Sequence, residues 1–168
     1  MKGIPRLIMD SGQANLVPVI TIINAEPKHI AQIKKNLRSE DAREVLRLGV
    51  SVQHALWYSY KHSIIRKAAL IDGEVAALWG CMGVAMGNNA LPWLLTAPCV
   101  KKISPLRFAR IYQEEVISML KIFKTLENYV DEEYSSAIRL LEIIGFILDE
   151  PQKIGVGMFR KFRMEAAK

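Results

Sequence analysis

Between Val75 and Val100 the chain carries no charged residue, and this 26-residue stretch limits the choice of fold more than any other feature. An uncharged segment of that length either spans a bilayer or lies inside a protein core. Gly80, Gly83, Gly87, Asn88, Asn89, Pro92 and Pro98 interrupt it. Such punctuation breaks a continuous helix and suits short buried strands. Two strands joined by a turn at Gly87-Asn88-Asn89 are therefore expected, and no membrane span.

The neighbouring residues support a sheet. Ile64–Ile71 is a second apolar run, joined to Val75–Cys81 through Asp72-Gly73. Asp-Gly between β-rich segments favours a two-residue hairpin, because both central positions need positive φ. Strands are expected at 17–23, 64–71, 74–81, 90–96, 126–130 and 157–164, with 146–148 pairing the last in a closing hairpin. Helices should begin near Pro27, with Ser39 as cap of a second and Ser51 as cap of a third. Ser104-Pro105 opens the longest helix, 105–124, whose apolar stripe includes Phe108, Ile111, Tyr112, Val116 and Leu120. A further helix, Tyr134–Ile144, stops at Gly145. Trp93, Phe108, Ile111, Leu120, Ile138, Leu141 and Phe146 are the expected core. The order is mixed α/β in one domain, 17–168, preceded by an irregular arm, 1–16. A chain of 168 residues buries enough surface to need no staples.

Composition narrows the chemistry. Cys81 and Cys99 lie in no CxxC pair and read as two buried thiols in a reducing compartment. His29, His54 and His62 have no metal-ligand spacing and suit surface or capping roles. No metal site is expected. The N-terminal residues show neither the apolar run nor the cleavage site of a secretory signal. Asp131-Glu132-Glu133 reads as negative charge before a helix N-terminus. The net charge of +6 suits a solvated basic surface or contact with a polyanion. No P-loop, dinucleotide fingerprint or nucleophile motif occurs.

Two stretches resemble a known family. Ile71-Asp-Gly-Glu-Val-Ala-Ala-Leu-Trp-Gly80 is similar to the second and third strands of the Gcn5-related N-acetyltransferases. Asn128-Tyr-Val-Asp131 through Ala137-Ile-Arg-Leu-Leu-Glu-Ile-Ile-Gly-Phe146 resembles their fifth strand, fourth helix and following Gly-Phe. The resemblance implies the acetyltransferase-type fold, a mixed twisted sheet with helices on both faces. Pro92-Trp-Leu-Leu-Thr96, Leu126-Glu-Asn-Tyr-Val130 and Ala137-Ile-Arg-Leu-Leu141 with Gly145-Phe146 are similar in particular to acetyltransferase-like virion proteins of short-tailed bacteriophages.

That likeness implies a non-catalytic structural protein of the particle, acting in assembly or genome delivery. Its setting would be the virion, and the host cytoplasm during assembly. Other virion proteins (portal, tail or internal core) would be its partners, with DNA as a further one, in an oligomer or larger assembly. In the enzymes a Q/R-x-x-G-x-G/A loop cradles the coenzyme A pyrophosphate. Here the matching Thr96-Ala-Pro-Cys-Val-Lys-Lys-Ile-Ser-Pro105 has no glycine, and its two prolines remove donors. The family's helix-4 asparagine is replaced by Tyr134 and its acid tyrosine by Leu141, which cannot protonate a thiolate.

No catalytic residue and no cofactor is therefore expected. If coenzyme A did bind, Thr96, Ala97, Lys101 and Lys102 would hold it. Tyr112, Tyr129 and Tyr134 are substitute acids between which the sequence does not choose. The alternative function is an active acyltransferase using acetyl-CoA. For interaction, the candidates are Ile4, Leu7 and Ile8 of the arm and Arg160, Lys161 and Arg163 near the C-terminus.

Overall fold

A computed structural model describes residues 17–84 and 87–167. The arm and its candidates Ile4, Leu7 and Ile8 lie outside the described residues. The strands are β1 (Ile20–Asn24), β2 (Ser63–Ile71), β3 (Glu74–Gly83), β4 (Asn89–Thr96), β5 (Thr125–Asp131), β6 (Ile147–Ile154) and β7 (Gly157–Glu165). The helices are α1 (Pro27–Lys35), α2 (Ser39–Arg47), α3 (Val52–His62), α4 (Pro105–Leu120) and α5 (Ser135–Ile144), with a 3-10 turn at Pro98–Lys102. One seven-stranded sheet runs in the order β1-β2-β3-β4-β5-β7-β6. Every neighbouring pair is antiparallel except β4 with β5.

The uncharged stretch behaves as its composition requires. Seven consecutive residues of β3, Val75–Cys81, are buried. Successive strand side chains point to opposite faces, so burial of all seven means that both faces are covered. Trp79 faces α4, edge-on to Tyr112, with its indole N–H donated to Glu115. Asp72 and Gly73 take φ values of 51° and 82°, as the hairpin turn demands. Gly80 has a different reason. A Cβ there would stand 2.5 Å from the carbonyl oxygen of Ile65 and 2.8 Å from the Trp93 ring. Glycine thus lets Trp93 lie flat against the backbone of β3 and donate its indole N–H to Ser63. Among the described residues no helix is long and apolar enough to cross a membrane.

Of the expected core, Trp93, Phe108, Leu141 and Phe146 are buried, while Ile111, Leu120 and Ile138 pack at its margin. Ser51 and Ser104 cap α3 and α4 through the N–H groups of His54 and Arg107.

Several boundaries differ from the sequence reading. The cap of α2 is Arg38, not Ser39, because Arg38 is pinned by its N–H to the Thr96 carbonyl. Ser39 instead donates to its neighbour Glu40. The first strand begins at Ile20, after Pro18 rather than on it. Helix α4 stops at Leu120, short of 124. The strand expected at 146–148 runs instead from Ile147 to Ile154. It tolerates Pro151 because β6 is the edge strand, where one face of the backbone needs no donor.

Candidate functional site

Parallel strands β4 and β5 pair at only two positions, Asn89 with Thr125 and Ala90 with Leu126. Asn128 bridges the widening gap by donating its side-chain amide to the Pro92 carbonyl at 2.9 Å. Beyond it the strands end at Thr96 and Asp131, and helix α2 lies across both ends. Its residues Asp41, Glu44 and Arg47 recur every third position and so share one side of the helix. The Thr96 hydroxyl donates to Asp41 at 2.7 Å, and the Arg38 N–H to the Thr96 carbonyl at 3.0 Å. On the other strand the Asp131 N–H donates to Glu44 at 2.7 Å. Arg47 Nε lies 2.8 Å from the Asp131 carboxylate, and its Nη1 lies 2.7 Å from Glu133. Arg43 also pairs with Glu133. Asp131 additionally accepts the Glu133 N–H at 2.9 Å.

The cluster thus holds three carboxylates, Asp41, Glu44 and Asp131, with Arg47 as their close cation and Tyr134 beside Asp41. Burial pushes the Asp41 carboxyl up to about 6, against the opposing pull of the Thr96 hydroxyl and Arg38. Burial also lifts Glu44 to about 7, helped by the nearby charges of Asp41 and Asp131. The Tyr134 hydroxyl is raised, chiefly by burial and then by Asp41.

These shifts carry a sign for stability. In the unfolded chain both carboxyls titrate near 4, so between about pH 4.5 and 7 the folded state binds more protons. Stability should therefore rise as pH falls from about 7.5 to about 5, by on the order of 3 kcal/mol. Below about pH 4 the gain should end, because Asp41 and Glu44 are then protonated in the unfolded chain as well, and Glu40, held down to about 2 by hydrogen bonds to its own backbone, Ser39 and Arg38, stays ionised when folded but takes up its proton when unfolded. Urea unfolding across this range is the check, with Glu44→Gln expected to flatten the profile.

The coenzyme A candidates do not converge. Thr96 is buried with its hydroxyl spent on Asp41. Ala97 is buried, and its N–H donates to the Ala76 carbonyl. Lys102 pairs with Glu74 at 3.0 Å, and Lys101 is exposed. The 3-10 turn consumes its own donors, Val100 N–H to Ala97 and Ile103 N–H to Val100. At the start of α4, Pro105 has no N–H, Arg107 donates to the Ser104 side chain and Phe108 to the Ser104 carbonyl. Little remains to cradle a pyrophosphate. The cavity at the mouth of the carboxylate cluster, lined by Glu40, Arg43, Asp131, Glu133 and Tyr134, measures about 40 Å³. That is room for a water or two, whereas ligand pockets run to several hundred cubic ångströms. The residues present do not fit coenzyme A.

Asp131-Glu132-Glu133 closes β5 and the turn after it, directly before the Tyr134 cap of α5, while the first turn of α5 itself holds no acid. The run also anchors Arg43, Arg47 and Arg160, a role that the sequence reading did not assign. Among the three tyrosines only Tyr134 joins the cluster. Tyr112 is buried between Trp79 and Phe108, and Tyr129 lies along β5. Leu141 is core. The basic candidates on β7 are each answered inside the chain: Arg160 by Glu132, Lys161 by Glu127, Arg163 by Asp149. His29 is buried and caps α1, accepting the Glu26 N–H on Nδ1. Cys81 and Cys99 are buried free thiols, and burial pushes Cys81 up to about 12. No group able to hold a metal occurs among the described residues. The sequence reading gave no site role to Asp41, Glu44 or Arg47. Their every-third-residue spacing was the available signal.

A splayed parallel pair at the centre of a seven-stranded mixed sheet, with helices on both faces, is the fold of the Gcn5-related N-acetyltransferases. An acetyltransferase of that family from Streptococcus pneumoniae superposes with a TM-score of 0.61 at 16% identity, over 89% of this chain and 100% of the other. A ribosomal-protein-alanine N-acetyltransferase from Escherichia coli gives 0.65 at 15%, covering 89% and 96%. The spermidine N-acetyltransferase from Vibrio cholerae, solved with CoA and spermine, gives 0.63 at 14%, covering 88% and 95%. At such identities the likeness establishes the fold alone. No family model matches the chain, and no curated protein matches its sequence.

Proposed function

We propose that this chain is an acetyltransferase-fold protein without catalytic activity, a structural component of short-tailed bacteriophage particles that acts in assembly or genome delivery. Its partners are other virion proteins, and its setting is the virion and, during assembly, the host cytoplasm. The observation that supports this reading is the closure of the β4–β5 splay by α2. Asp41 and Glu44 bond to the ends of the two splayed strands, at Thr96 and Asp131. The phage assignment rests on the wording of Pro92–Thr96, Leu126–Val130 and Ala137–Phe146. The first two of these segments meet through the Asn128–Pro92 bond.

Calorimetry with acetyl-CoA tests the first half. Each lost charge-assisted bond removes roughly 1.5–3 kcal/mol, so two lost bonds weaken affinity about a hundredfold or more. The expected result is no measurable binding that survives added salt. Mass spectrometry of purified virions tests the second half, and absence of the chain from particles would refute it.

One observation favours the second reading, an acyltransferase. A Glu44 carboxyl lifted to about 7 is matched to general-base work at neutral pH. Thiol release from acetyl-CoA with spermidine or an alanine-terminated peptide as acceptor, abolished by Glu44→Gln, would establish that reading in place of the first.

A further inference from the structure

The net charge of +6 is not spread over the molecule. Strand β1, helices α1 and α3, and strand β2 hold Lys28, Lys34, Lys35, Lys61, Arg66 and Lys67 and no Asp or Glu. Six of the 23 cations lie here, and of the 17 anions Glu26, paired with Lys28, and Asp72 flank these elements. The four elements are contiguous: β1 pairs with β2, and α1 and α3 pack on each other and on the sheet. Among the described residues Lys34, Lys35, Lys61, Arg66 and Lys67 enter no ion pair, unlike the β7 cations. Lys34 instead bonds to Gln53, which ties the end of α1 to the start of α3.

The same surface carries a row of flat rings. His54, Tyr58 and His62 recur at i, i+4 and i+8 on α3 and stack on one another. Their centroids lie 5.6 and 4.1 Å apart and their planes are inclined by 23° and 28°. The row faces solvent, with Tyr58 49% exposed. The three rings line a depression of about 620 Å³ together with Gln53, Trp57 and Lys61. Core packing does not require exposed rings in register, and a purely solvated basic face would not carry them.

From this juxtaposition we infer that the α3 face binds single-stranded nucleic acid, the ring row stacking with unpaired bases and the surrounding lysines neutralising phosphates. Base–aromatic stacking is tolerant of sequence, and a lysine-lined track supplies the phosphate contacts. A duplex keeps its bases stacked inside and cannot use the rings. An acidic polypeptide would use the lysines alone. This inference goes beyond the assembly role and does not depend on it.

Fluorescence anisotropy of labelled oligothymidylate, titrated with the full chain at low and moderate salt, is the test. Binding should weaken steeply with salt, and Tyr58→Ala should cost about tenfold or more in affinity. Tyr58→Phe keeps the ring and should bind like the parent. Lys61→Glu should weaken binding, while Arg110→Glu, the same charge change on exposed α4, should not. Oligouridylate bound with the same Tyr58 dependence supports the site equally, since the stacking partner is the base. The inference is overturned by no binding at low salt, by indifference to Tyr58→Ala, or by an equal loss in Arg110→Glu. Duplex DNA or polyglutamate binding as tightly as the single strand, or anionic vesicles binding where the oligonucleotide does not, would overturn it too.

Discussion

Replacing Arg47 with methionine is expected to destabilise the protein by about 3–5 kcal/mol, the cost of leaving a buried charge without its partner. Asp131 is 2% exposed, and the Arg47 guanidinium lies 2.8 Å from its carboxylate. Methionine keeps most of the arginine stem, so the packing loss is small and the loss reads chiefly the charge. The backbone of Arg47 also holds the β6–β7 turn, since its carbonyl accepts the Val156 N–H at 3.1 Å. That bond survives the substitution, and a shift in the urea midpoint without a change in slope is the expected form. Pairing Arg47→Met with Asp131→Asn should restore much of the stability, because the stranded charge is removed with its counterion. If the single variant unfolds like the parent, the cluster is not the closed ionic lock described above.

Trp79→Ala should have an effect of the same size, about 3–5 kcal/mol, for a wholly different reason. Trp79 has no exposed surface and sits mid-strand in β3, under α4 and against Tyr112. Its removal leaves a cavity in a strand covered on both faces, where neighbours cannot collapse inward without moving a helix. Trp79→Phe separates packing from hydrogen bonding. It retains most of the apolar contact and loses the indole donation to Glu115, a part-buried bond worth on the order of 1 kcal/mol. Chemical denaturation of the two variants side by side should give a large loss for alanine and a small one for phenylalanine. Similar losses in both would mean that the bond to Glu115, not the ring, holds α4 to the sheet.

Features governed by neighbours in sequence were legible before the structure. The Asp72-Gly73 turn needs two positive φ angles, and only a few residue pairs accept them. Ser51 and Ser104 cap helices through N–H groups three residues away, so the signal and its partner share one short window. The charge-free run from Val75 to Val100 was bound to place most of its apolar residues in the core, and its glycines and prolines cut it to strand length. From these the sheet centre and the long helix followed, while the acetyltransferase-type fold was implied by the resemblance of residues 71–80 and 128–146 to that family.

What the sequence left undetermined all depends on residues far apart in the chain. The end of β4 and the end of β5 are 35 residues apart, and α2 ends 49 residues before the first of them. That Asp41 meets Thr96 and Arg47 meets Asp131 is decided by where α2 docks, which no local pattern records. The start of α2 at Arg38 has the same cause, a backbone bond to the distant Thr96 carbonyl. The net charge could be counted from composition, but its gathering on neighbouring elements could not, because β1, α1, α3 and β2 come together only when the sheet forms. Local conformational preference set the elements of this protein, and long-range packing chose which of their side chains share a site.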